Sequence, residues 1–403
     1  MPHVLIVGAG PAGASLAYLL AHRGIEVTLL ERQRDFGREF RGEILNATGL
    51  DALEQMGLGA PLAGVAAHEQ ASFAAYMNGR EFASGEIDPE AFGGRRPTAI
   101  SQPELLETIV AQAEKSEGFR FERGASVMDL HYEGARVAGV RLRTQEGERE
   151  LRADLVVGCD GRASVVRKRA RVRLRRSDPP LDVVWCKLPL PSDWPGVRAY
   201  LGRGHLLIAY HTWDHSLQLG WVILKGSFGE LRKRGIEEWV EEMANHVSPD
   251  FAAHLRAHRA AVERPFLLDA VSDCVECWHA PGMLLLGDAA HAMSPVGGQG
   301  LNIALRDAVV AANQLVPVLR GQTLDEARLT TALCAIEAER MREVRPIQAL
   351  QALPPKLVLN RAWWAEPLRR TLAVLLGRPF VQRRFARQVR GFISGVTDVR
   401  LEV

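Results

Sequence analysis

The sequence predicts an α/β protein with a parallel sheet at its centre, and three stretches predict it. Val4-Leu5-Ile6-Val7 runs straight into the glycine-rich turn at residues 8–13, and Leu155-Val156-Val157-Gly158 runs into Asp160-Gly161. Met283-Leu284-Leu285-Leu286 ends in the same way on Gly287-Asp288. Short runs that are apolar at every position are the pattern of strands covered on both faces, as parallel strands are. Each stops on small residues where the chain must turn toward a helix.

Length and composition bound the rest. At about 150 residues per domain, 403 residues imply two or three folding units. With 47% hydrophobic and 24% charged residues, the chain is ordinary for a globular enzyme, which excludes disordered, collagen-like and disulfide-framework classes. Fifty basic against 48 acidic side chains leave +2, so bulk charge does not point to nucleic acid. Five scattered cysteines suit a reducing compartment, and a cytoplasmic location is expected. No apolar run reaches the roughly 18 residues of a membrane span. Residues 1–7 carry neither the basic region nor the cleavage site of a signal peptide.

The first unit has a mechanical logic. In Gly8-Ala9-Gly10-Pro11-Ala12-Gly13, Gly8 permits a tight turn, Gly10 lets backbone approach a pyrophosphate, and Gly13 lets helix and strand pack closely. The helix that follows, expected over Ala14 to Arg23, offers free N–H groups and a positive dipole to phosphates, and Ala12 in the turn before it is counted with the cofactor-binding residues. A second strand, Glu26-Val27-Thr28-Leu29-Leu30, ends on Glu31. That acid lies 18 residues past Gly13, placed to accept hydrogen bonds from a ribose, and Arg32 beside it is counted with the nucleotide-binding residues. This turn alone does not distinguish FAD from NAD.

The other two motifs decide between them. Asp160-Gly161 leads into a helix near Ser164, and Gly287-Asp288 leads through Pro295-Val296-Gly297-Gly298-Gln299-Gly300-Leu301-Asn302 into a long amphipathic helix. These three motifs, in this order over residues 1–320, resemble the class A FAD-dependent aromatic hydroxylases, the para-hydroxybenzoate hydroxylase-like flavoprotein monooxygenases. The resemblance implies a glutathione-reductase-like, Rossmann-like FAD-binding domain with an inserted β-sheet substrate domain and a C-terminal helical segment. Residues 1–68, 97–180 and 264–345 would form the first, 69–96 and 181–263 the second, and 346–403 the third. Asp288 matches the family aspartate on the ribityl hydroxyls, and Gly297, Gly298, Gly300, Leu301 and Asn302 match the cradle of the flavin edge. Arg41 and Gln102 align with pyrophosphate and ribityl contacts, and backbone near Val127 with the adenine. Asp160 either faces FAD and transient NAD(P)H or orients its own loop. Pro295 stiffens the loop beside the ring.

Residues 119–158 alternate as a β-meander, with one strand expected over residues 149–157, and residues 181–224 are strand-rich. Trp185, Tyr210 and Trp221 are candidate pocket walls there, and Tyr210 and His211 candidate substrate bases. The implied activity uses NADH or NADPH and dioxygen to hydroxylate an electron-rich aromatic or phenolic molecule through a flavin C4a-hydroperoxide. Alternatives are a flavin-dependent reductase or epoxidase of an apolar or isoprenoid substrate, or a non-catalytic binding module of the same fold. No metal is expected: Cys274-Val275-Glu276-Cys277 lacks a second ligand pair at zinc-finger distance, and His211/His215 and His254/His258 lie in unsuitable contexts. Residues 356–403 hold ten basic against three acidic side chains among apolar ones. Such a stretch reads as a terminal helical layer or as a peripheral membrane contact. Oligomeric state is left open.

Overall fold

The computed structural model describes residues 2–37, 43–202, 204–262, 265–352 and 395–403, with Leu359, Asn360, Pro367 and Thr371. Arg41 and most of the basic C-terminal stretch lie outside the described residues. The three glycine-ended runs form neighbouring parallel strands. His3–Val7 sits between Leu155–Gly158 and Glu26–Glu31, and Met283–Leu285 and Phe119–Arg123 extend the sheet on either side. His279–Ala280 closes one edge antiparallel. Val4, Leu5, Ile6, Leu155, Val156 and Val157 expose nothing, because both faces of this sheet are covered. Helix Pro11–Ala21 packs against both Gln102–Ala113 and Gln299–Leu319, and the meander packs on the sheet.

The meander comprises Ser126–Glu133, Arg136–Thr144 and Gly147–Arg152, paired antiparallel. The single strand expected over residues 149–157 is corrected to two strands in two sheets. At Ala153-Asp154 the chain crosses between them. There the Asp154 N–H donates to the His3 carbonyl (2.9 Å), and the His3 N–H donates to Asp154 Oδ2 (2.7 Å).

A second sheet has seven strands in the order Phe266–Leu268, Leu181–Pro189, Ser216–Leu224, His205–His211, Gly196–Gly202, Ser72–Met77, Arg80–Glu86. Side chains alternate across it. One face, with Val184, Leu207, Leu219 and Trp221, packs under helices Ile236–Ala244 and Pro249–Ala257. The other carries Leu181, Val183, Val222 and Trp185 and meets Val296. Trp221 is therefore not a pocket wall. Its ring lies 5.7 Å from Trp239 in the helix-covered core, because period-two alternation puts it on the opposite face from Trp185.

Ion pairs lock the long helix to its surroundings. Asp307 is fully buried and accepts from the Gly287 N–H (3.1 Å), His291 Nε2 (2.6 Å) and Arg340 Nε (2.7 Å). Arg340, on helix Glu326–Gln351, also pairs with Glu343 (2.6 Å), and Glu343 pairs with Arg306 (2.9 Å). Burial pushes the Asp307 carboxyl up, but His291 and the Arg340 guanidinium outweigh it and hold it below its ordinary value. Gln351, at the end of the same helix, donates to the carbonyls of Ser294 (2.9 Å) and Val296 (2.8 Å).

Two tests follow from this packing. Asp307→Asn leaves the buried Arg340 guanidinium with Glu343 alone, which Arg306 shares, and should lower the unfolding free energy by about 3–5 kcal/mol, read from urea titration. The second compares two turn glycines. A Cβ on Gly13 would sit 2.0 Å from the Gly8 carbonyl oxygen, whereas one on Gly10 meets nothing within 4 Å. Gly13→Ala should cost about 1–3 kcal/mol of stability through overpacking. Gly10→Ala should leave FAD-free stability within about 0.5 kcal/mol and weaken FAD binding.

Candidate active site

The three motifs converge at the carboxyl ends of the parallel strands, where open α/β sheets bind ligands. Gly8 has φ +99°, and a Cβ there would lie 2.5 Å from the Cys159 carbonyl oxygen, so only glycine makes this turn. Helix Pro11–Ala21 has no side-chain cap at Gly10, and the space beside Gly10 is open, the geometry a pyrophosphate needs. Ala12 packs under Gly287, whose Cβ would come within 3.1 Å of it. Glu31 is buried; its carboxylate accepts from the Ala9 and Gln33 N–H groups (3.0 Å each), which holds it behind the turn. Arg32 is exposed beside it, Gln102 opens helix Gln102–Ala113, and the Val127 side chain lies in the core.

Asp160 is a capping residue in this structure. It accepts from Ser164 Oγ (2.5 Å) and from the N–H groups of Val165 (2.6 Å) and Val166 (3.2 Å). Burial pushes its carboxyl up despite these bonds. Asp288 is half-buried and accepts from Arg162 Nε at 3.2 Å. Arg162 was not among the expected residues, though its place in Asp160-Gly161-Arg162 is the signal that marks it.

The loop before the long helix is built on two left-handed glycines, Gly297 (φ 76°) and Gly298 (φ 60°). They aim the uncapped N-terminus of helix Gln299–Leu319 outward, and space beside Gly300 is open. Such a terminus stabilises negative charge on a bound ring. Pro295 precedes the turn, and its carbonyl accepts from the Gly298 N–H (3.1 Å). The side chains of Leu301 and Asn302 face inward. Asn302 Oδ1 accepts from the Asn46 N–H (2.8 Å), and Nδ2 donates to Ile44 (3.2 Å) and Gly298 (2.9 Å) carbonyls. Asn302 thus joins the helix start to strand Ile44–Leu45, and its amide is engaged there rather than free for a ligand.

That strand carries Glu43 to the second sheet. Glu43 is buried, and Oε2 accepts from Trp213 Nε1 at 3.0 Å, from the turn between strands His205–His211 and Ser216–Leu224. Lys187 Nζ lies 5.2 Å from the centre of the Trp213 ring and bonds Asp214 (2.6 Å). Burial pushes the Glu43 carboxyl up to about 7, against the lowering by Lys187 and the Trp213 hydrogen bond. Sequence reasoning missed both Glu43 and Trp213.

Tyr210 and Trp185 meet edge to face at 6.4 Å on the sheet face turned toward Val296. Burial, reinforced by Glu43, holds the Tyr210 phenol well above its ordinary pKa, which makes it a donor rather than a base. The His211 ring lies 3.6 Å from that of His68, and burial lowers its pKa, with His68 and His215 adding to the effect. The glycine turn, the helix N-terminus at Gly298 and the open space at Gly10 and Gly300 suit a dinucleotide whose ring lies near the second sheet. FAD fits the residues present.

Comparison with known proteins agrees with this geometry. A model of the FAD binding domain matches residues 1–340. The chain is 33% identical to 6-methylpretetramide 4-monooxygenase of Streptomyces rimosus over 96% of its own length and 91% of the relative's. It is 30% identical to kynurenine 3-monooxygenase of Salinispora tropica, covering 84% of this chain and 76% of that one. The solved structure of Pseudomonas aeruginosa PqsL in complex with 2-aminobenzoylacetate shares the fold, with a TM-score of 0.78 at 24% identity over 91% of this chain and 99% of that one. A nucleotide turn, a flavin-edge helix and a match running through both thus have one reading: the chain belongs to the FAD binding domain family, as an FAD-dependent monooxygenase reduced by NAD(P)H.

Proposed function

We propose that the chain hydroxylates an electron-rich aromatic substrate bearing an ionisable phenol, and that Glu43 accepts the phenolic proton. The observation that carries this reading is the buried Glu43 carboxyl, bonded to Trp213 Nε1 at 3.0 Å beside the strand that Asn302 ties to the flavin-edge helix, where burial pushes it up to about 7. A base poised near the operating pH is the one best matched to proton transfer. Bound FAD, reduced by NAD(P)H, supplies the activation of dioxygen; the protein binds, orients and deprotonates the substrate and excludes water. Loss of the phenolic proton raises electron density on the ring, which favours attack by an electrophilic oxygen. Relatives named for oxygenating 6-methylpretetramide at position 4 and kynurenine at position 3 support small-molecule hydroxylation.

In this reading FAD lies across Gly8, Gly10 and Gly13, with Glu31 toward the ribose, Asp288 toward the ribityl chain and Gly297 to Gly300 along the ring. Tyr210 and Trp185 stand on the substrate side. Residues 1–68, 97–180 and 269–345 serve the nucleotide, and 69–96 and 181–268 the substrate, the boundary expected at 264 moving because strand Phe266–Leu268 pairs within the second sheet. The joint sheet of Ser72–Met77 with Gly196–Gly202 supports that division. Five free cysteines support a reducing, cytoplasmic setting, and no helix among the described residues is long and apolar enough to cross a membrane.

The pH dependence tests the assignment. Below about 7 Glu43 is protonated and cannot accept, so kcat/KM for phenol-stimulated NAD(P)H oxidation should rise with pH and level off above about 7. Glu43→Gln should remove that limb and lower kcat/KM by about 10²–10⁴-fold. An unchanged limb in Glu43→Gln would assign the base elsewhere.

A further inference from the structure

We propose that Cys277, His279, Cys334 and Glu337 form a site for a soft divalent cation, zinc by its ligand chemistry, where the edge of the parallel sheet meets the final helix. The ligand atoms of Cys277, His279 and Glu337 all lie within 4.8 Å of one another. Cys277 Sγ is 3.6 Å and His279 Nε2 is 3.8 Å from the same Glu337 Oε2, and Cys334 Sγ is 3.4 Å from His279 Nε2. Tetrahedral zinc, with sulfur at about 2.3 Å and nitrogen or oxygen at about 2.0–2.1 Å, places its ligand atoms roughly 3.3–3.8 Å apart. Cys277, His279 and Glu337 lie close to that spacing, and Cys334, which touches His279 but falls outside the 4.8 Å group, turns inward to complete the set.

Two elements supply the set. Cys277 and His279 are alternate residues where the chain enters strand His279–Ala280, so they project to one side. Cys334 and Glu337 are three apart on helix Glu326–Gln351, on one helical face. The Trp278 N–H donates to Glu337 Oε2 (2.9 Å), the kind of outer hydrogen bond that orients a ligating carboxylate.

Charge is consistent with this. Two thiolates and a carboxylate around a divalent ion leave one net negative charge, and Arg342 and Arg345 line the same cavity. Binding displaces two thiol protons to solvent, with no redox change. A coordinated thiol is held as the thiolate by the cation itself. Cys274, its partner in the Cys-x-x-Cys spacing, takes no part, since its Sγ lies against Met341 Sδ at 3.8 Å. The expectation of no metal followed from looking for ligands at zinc-finger spacing. The other ligands come from a helix more than 50 residues away, at positions 334 and 337.

The site does not depend on the phenol reading and is tested apart from it. The FAD-loaded full chain, stripped with chelator and kept under a thiol-free reductant, is dialysed against zinc chloride and analysed for metal. One zinc per chain is expected. Cys277→Ser and Cys334→Ser should each weaken binding by about 100-fold or more, beyond the 10–100-fold effect of losing an outer-shell partner. Cys274→Ser should bind as the parent does, and an unchanged flavin spectrum shows that each variant is folded. Cobalt in place of zinc should give thiolate charge-transfer and tetrahedral bands that vanish in Cys277→Ser. No stoichiometric zinc, or zinc retained by the Cys277→Ser/Cys334→Ser double variant, overturns the proposal. So does a Cys277–Cys334 disulfide formed on withdrawal of reductant by a chain that took up no zinc, which would make the pair a redox element instead.

Discussion

The carboxylate of Asp307 ties together the parts of the molecule that must keep their spacing for a dinucleotide to fit. It lies on helix Gln299–Leu319, which starts at the Gly297-Gly298 turn, and it accepts from the backbone of Gly287, one residue before Asp288. It also takes up His291 and, through Arg340, the final helix. A charge without exposure is tolerable only when every neighbour donates to it, and here strand end, loop and two helices do so or are tied to groups that do. Sliding any one of them would strand a buried charge. The loop at residues 294–298 inherits this rigidity, since Gln351 at the end of the helix carrying Arg340 holds the Ser294 and Val296 carbonyls.

The second constraint is the joint between the two sheets. Asn302 bonds the flavin-edge helix to strand Ile44–Leu45, and the preceding residue, Glu43, bonds the turn of the second sheet through Trp213. The long helix and the seven-stranded sheet are thereby linked through a few consecutive residues. Glu43, the proposed base, sits in that joint. Burial sets its pKa near 7, with the Lys187 charge and the Trp213 indole acting in opposition.

The fold was legible where its chemistry is local. The glycine turn, the strand ends and the left-handed pair Gly297-Gly298 are dictated by backbone sterics within a few residues, so a one-dimensional pattern reveals them. Trp221 misled because alternation says which residues share a face but not which face meets helices. The break at Ala153-Asp154 was hidden because the residues on both sides of it favour strands. Glu43 was invisible for another reason: among 48 acidic residues, nothing local separates it, and its partner Trp213 lies 170 positions away. Asp160 and Asn302 were expected at the site, and their side chains cap and join rather than reach outward. The ligand cluster around His279 was likewise dispersed over two distant elements.

Oxygen transfer itself is the central claim, and isotopic labelling tests it most directly. The FAD-loaded protein with NADH or NADPH and a phenolic substrate is allowed to turn over under heavy-isotope dioxygen, and the product mass is compared with that formed in heavy-isotope water. The account predicts one labelled oxygen atom in the product from dioxygen, none from water, and one NAD(P)H oxidised per product formed. Product formed without label from dioxygen, or NAD(P)H oxidised with hydrogen peroxide as the sole outcome across a broad panel of phenols, would contradict it.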